Sequence, residues 1–132
     1  MTFSSKQLKE LKKSAQKYQL KLVVLFGSQV SGKTHQESDI DIGFLPKKEL
    51  SFKKEIQLTS KFIEIFGEKV DVTNLRKASP LLLKEVAENA QILYQEKKDE
   101  FDRFQLYALQ KYAEAKPIFE MHQKAIKQFL SK

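Results

Sequence analysis

The sequence has 132 residues, 41% of them hydrophobic and 31% charged, a globular balance that predicts a single domain and excludes a disordered or fibrous chain. It has no apolar run of roughly 18 residues and no signal-peptide pattern at Met1-Thr2-Phe3-Ser4, so neither a membrane span nor export is expected. Without cysteine, any metal must be held by oxygen or histidine, and a reducing, cytoplasmic location fits.

The formal charge of +7 is uneven: the first 21 residues carry six lysines against Glu10 alone, while the span 22–94 is balanced. Such an excess attracts polyanions or an acidic partner through a field that salt weakens, although lysines also simply solvate an amphipathic helix. Ser4 or Ser5 caps a predicted first helix running to about Tyr18, with Leu8, Leu11, Ala15 and Tyr18 at helical spacing. Leu22-Val23-Val24-Leu25-Phe26, stopped by Gly27, reads as a strand buried on both faces. A small, polar stretch, Gln29 to Glu37, leads to a second strand, Ile40 to Leu45, ended by Pro46. Ser51 caps a helix whose predicted stripe is Ile56, Phe62, Ile63 and Phe66, and Gly67 closes it before a third strand at Val70-Asp71-Val72.

Ser79-Pro80 opens another helix through Leu83 and Val86 to Asn89, and Ile92-Leu93-Tyr94 reads as an edge strand. From about Lys97 helical spacing returns, with Phe101, Phe104, Tyr107, Ala108, Tyr112, Ala115, Ile118, Phe119, Ile126 and Phe129 on one side, and Pro117 predicts a kink or break near Lys116. His122, near that stripe, reads as structural, and His35 as a solvated loop residue. The expected architecture is α/β, a small mixed sheet with helices packed on it. One domain over 1–132 is expected, with a core at about 4–95 and a C-terminal helical extension, or kinked helix pair, at about 97–131.

Asp39 and Asp41, two apart on a strand, project to one face with Cα atoms roughly 7 Å apart. Paired carboxylates repel, and a fold that aims both into a cleft usually balances them with a cation; oxygen ligands favour magnesium or manganese. Alone the pair also fits an exposed strand face. Asp71 lies between two strand valines, where an aspartate either faces something specific or lines an exposed edge. Gly27 permits close backbone approach, and Ser28 with the following amides can bind phosphate oxygens. Gly27 to Thr34 also matches Gly-x4-Gly-Lys-Thr, but the helix that such a loop opens has no room before the strand at Ile40. A serine-hydrolase elbow is excluded because Gly-x-Ser-x-Gly is absent.

The run Gly27-Ser28, Gly32, Ser38-Asp39-Ile40-Asp41, with Asp71 beyond it, resembles the signature of the polymerase β-like nucleotidyltransferase superfamily, in particular its minimal nucleotidyltransferase (MNT) group, over about residues 21–95. The resemblance implies that Asp39 and Asp41 bind Mg2+, with Mn2+ as substitute, and that Asp71 helps hold a metal and activates the acceptor hydroxyl. It implies that Gly27 and Ser28 bind the triphosphate of ATP and that Ser38 supports that turn. Members often carry arginines where this chain has Gln29 and Ser31, a role that falls to Lys33. It further implies an antitoxin that transfers AMP to a tyrosine of a HEPN-family ribonuclease toxin. Direct RNA contact is expected to be weak or indirect. Transfer to a small hydroxylated molecule such as an aminoglycoside, and a non-catalytic antitoxin acting by binding alone, are the alternatives.

Overall fold

The computed structural model describes residues 3–27 and 40–131. The elements follow in the order α1 (Ser5–Lys17), β1 (Leu20–Phe26), β2 (Ile40–Pro46), α2 (Phe52–Phe66), β3 (Val70–Asn74), a 3-10 turn (Leu75–Lys77), α3 (Pro80–Asn89), β4 (Gln91–Gln95) and α4 (Glu100–Leu130).

Local chemistry sets most of the boundaries. Ser4 caps α1 in a full capping box, its Oγ accepting from the Gln7 amide while the Gln7 side chain accepts from the Ser4 amide. Ser51 and Ser79 cap α2 and α3 in the same way, accepting from the amides of Lys54 and Leu82, and Pro80 occupies the first turn of α3. Gly67 closes α2 at φ +103°, a left-handed conformation open to glycine.

The four strands form one mixed sheet in the order β3-β2-β1-β4. β1 pairs antiparallel with β2 and with β4, and β2 pairs parallel with β3. β1 is buried on both faces, as its unbroken apolar run requires. A register shift between Leu20 and Leu22 re-phases the alternation, so Leu20, Val23 and Leu25 face one core while Leu22, Val24 and Phe26 face the other.

The first core packs Ile42 and Phe44 of β2 against Leu11 and Ala15 of α1 and Leu58 and Phe62 of α2; Phe62 meets Phe44 edge-on at 6.4 Å between ring centres. The second gathers Leu75, Leu83, Val86, Ala87, Phe104 and Ala108 beneath α3 and α4. Those two helices run in opposite senses, held by Gln105 Nε2 donating to the Ala87 carbonyl at 2.8 Å and by Lys84 lying over the Tyr112 ring.

Two expectations need correction. In α2, Ile56 and Ile63 are exposed and Leu58 is buried with Phe62, because the helix presents positions 58 and 62 to Phe44 and leaves 56 and 63 on its rim. Of the kink or break expected near Lys116, the break is absent: Glu100–Leu130 is a single helix with Pro117 inside it. The distal part of its expected stripe stays largely uncovered, with Ile118, Ile126 and Phe129 exposed together with His122. Only Phe104 and Ala108 of that stripe are buried. Among the described residues, no helix is long and apolar enough to cross a membrane.

Candidate active site

Strand alternation places the carboxylates. Ile40, Ile42 and Phe44 turn toward the first core, as do Val70 and Val72 of β3, so Asp41 and Asp71 project from the opposite face. In the parallel ladder Asp41 is the direct partner of Asp71, which puts their Cα atoms about 4.8 Å apart with both side chains on one face. The ladder begins here, with the Ile40 amide donating to the Lys69 carbonyl at 3.0 Å. Asp71 is exposed and Asp41 half-buried. The exposed position of Asp71 on an edge strand fits a surface carboxylate as such; its register with a second aspartate is what marks it.

On the other side of Asp41 stands Phe26, its antiparallel partner and nearly buried. Gly27 follows at φ +81°, and a Cβ there would collide with the Asp41 carboxylate, with Cγ at 3.1 Å. The glycine therefore both adopts a backbone conformation that side chains disfavour and vacates the volume that Asp41 occupies. Two residues along β2, Gly43 leaves room for Leu75, whose Cδ2 would lie 3.0 Å from an added Cβ. Leu75 thus seals the sheet face beside the carboxylates.

Gly27, Asp41 and Asp71 are therefore brought to one end of the sheet. Ser28, Lys33, Ser38 and Asp39 lie outside the described residues. Among the described residues no three His, Cys, Asp or Glu side chains form a metal-binding group, and two of the three expected ligands stand side by side. The donor set suits a hard divalent cation: both groups are carboxylates, and among the described residues Asp71 has no hydrogen bond or ion pair that would use its oxygens.

Sequence reasoning missed Asn74. It is buried at the end of β3 and its Oδ1 accepts from the Arg76 amide at 3.0 Å, turning the chain out of the strand that carries Asp71. An Asn ahead of a short turn was the available signal.

Comparison with known proteins points the same way. The family model described as polymerase beta nucleotidyltransferase matches residues 9–99. A relative from Aphanizomenon flos-aquae (strain 2012/KM1/D3), named protein adenylyltransferase MntA, is 32% identical over 124 residues, covering 86% of this chain and 82% of the relative. Two solved structures share the fold. One is described as a toxin-antitoxin with AMP-PNP, with a TM-score of 0.72 and 24% identity over 95% of this chain and 98% of that one. The other is a complex of tri-AMPylated Shewanella oneidensis HEPN toxin with MNT antitoxin, with a TM-score of 0.69 and 23% identity over 96% and 97% of the two chains. Since the match spans more than half of the sequence and contains the strands that bear Asp41 and Asp71, this chain belongs to the polymerase beta nucleotidyltransferase family.

Proposed function

We propose that this protein is an antitoxin-type protein adenylyltransferase that moves AMP from ATP to a tyrosine of a cognate HEPN-family toxin. The observation that carries the reading is the pairing of Asp41 with Asp71 across β2 and β3, beside the glycine that ends β1. The A. flos-aquae relative, named a protein adenylyltransferase, and the fold neighbour in complex with a tri-AMPylated toxin support the choice of acceptor.

Asp41 and Asp71, joined by Asp39, would hold Mg2+, which when bound supplies positive charge to the reacting phosphates. Gly27, with Ser28, Ser38 and Lys33, would seat the triphosphate where a larger residue at position 27 would strike Asp41. The tyrosine oxygen attacks the α-phosphorus, the bond to the β-phosphate oxygen breaks, and pyrophosphate leaves in line. Asp71, exposed at the sheet edge, would accept the hydroxyl proton from an incoming protein chain.

The test is intact mass of the toxin after incubation with ATP, magnesium and this protein. The expected result is a gain of whole AMP units that disappears with Asp41→Asn. Tight toxin binding with no gain in mass would instead establish inhibition by contact alone.

A further inference from the structure

At the far end of the same sheet face lies a cleft of about 420 Å3 lined by Lys21, Leu45, Pro46, Arg76, Glu100, Arg103, Phe104 and Tyr107. Leu45 is four residues along β2 from Asp41, so the strand rise separates the cleft from the carboxylates by roughly 13 Å. The volume suits a small organic ligand.

Its chemistry is bipartite. Three cations border it, and each has donors to spare. Arg103 uses Nε toward Asp99 Oδ2 at 2.8 Å, and Arg76 uses Nη1 toward the Lys47 carbonyl at 3.3 Å. The Lys21 ammonium has no ion pair among the described residues. Against them stands Glu100, only 5% exposed, whose carboxylate has no hydrogen bond or ion pair among the described residues. No sealed polar side-chain atom lacks a partner there, so the carboxylate oxygens hold part of the small surface that Glu100 keeps. A carboxylate this deeply placed and unpaired is costly unless something donates to it. Leu45, Pro46, Phe104 and the half-exposed Tyr107 ring add apolar walls.

We propose that this cleft binds a nucleoside monophosphate, independently of the catalytic end. The guanidinium groups and Lys21 take the phosphate, whose geometry an arginine fork matches. Glu100 accepts from ribose hydroxyls or a base amino group, and the base lies against Tyr107.

The test uses the full chain without divalent cations, so that its outcome does not depend on the transfer reaction. AMP, adenosine and inorganic phosphate are titrated at fixed ionic strength, with the Tyr107 ring signals, assigned through Tyr107→Phe, as the NMR readout. The expected result is that AMP binds at least tenfold more tightly than either fragment and shifts the Tyr107 ring. Arg103→Ala, at an exposed position, should weaken AMP at least tenfold, and Glu100→Gln should weaken AMP and adenosine but not phosphate. An AMP affinity unchanged by Arg103→Ala, or phosphate binding as tightly as AMP, or no shift at Tyr107, would overturn the proposal.

Discussion

Gly27 shows how one residue can be fixed by its backbone and its neighbour together. At φ +81° a side chain is strained by about 1–3 kcal/mol, and the added Cβ must also displace the Asp41 carboxylate. Gly27→Ala is therefore expected to lower stability by more than that amount in urea unfolding and to remove the proposed AMP transfer, whereas Gly67→Ala, with open space around it, should carry the backbone cost alone. A second residue-scale effect concerns Lys77, whose pKa is raised above the ordinary 10.5 by its hydrogen bond to Glu55 Oε2 at 2.9 Å and then by the charge of that carboxylate. Because the folded value is the higher one, the contribution of this contact is complete below the unfolded pKa and disappears as pH rises through the folded one, on the alkaline side of 10.5. Glu55→Gln should bring the Lys77 titration, followed by NMR of its ε-methylene, back down toward the ordinary value.

Elements differ in how far packing holds them. Phe104, 2% exposed, joins α4 to the second core, while Ile118, 55% exposed on the same helix, touches neither core. Phe104→Ala is expected to cost about 3–5 kcal/mol and Ile118→Ser to stay within about 0.5 kcal/mol, both read from chemical denaturation. Equal losses at the two positions would show that the distal half of α4 is buried in solution. The uncovered end of the stripe shows what periodicity leaves open: apolar residues at three and four spacing state which face is apolar, and nothing about what covers it. Pro117 is accommodated because its missing amide removes one hydrogen bond from a helix of 31 residues, whose turns on both sides can continue.

Across the whole molecule, the charge excess of +7 should speed association with an acidic partner and make the rate fall as salt shortens the screening length. Stopped-flow association with the proposed toxin partner at rising ionic strength measures this, and a flat response would assign the lysines to solvation only. Legible in the sequence were the caps at Ser51 and Ser79, the glycine stop after β1, the doubly buried β1 and the alternation that turns Asp41 away from the core, because each depends on a few neighbouring residues and their backbone preferences. Three-dimensional packing alone sets β3 parallel beside β2, with Asp71 opposite Asp41, buries Leu58 of α2 while leaving Ile56 on its rim, and gathers Lys21, Arg76, Glu100 and Arg103 around one cleft. Those outcomes depend on which surfaces meet across tens of residues of intervening chain, and a local pattern carries no information about the partner that will cover it.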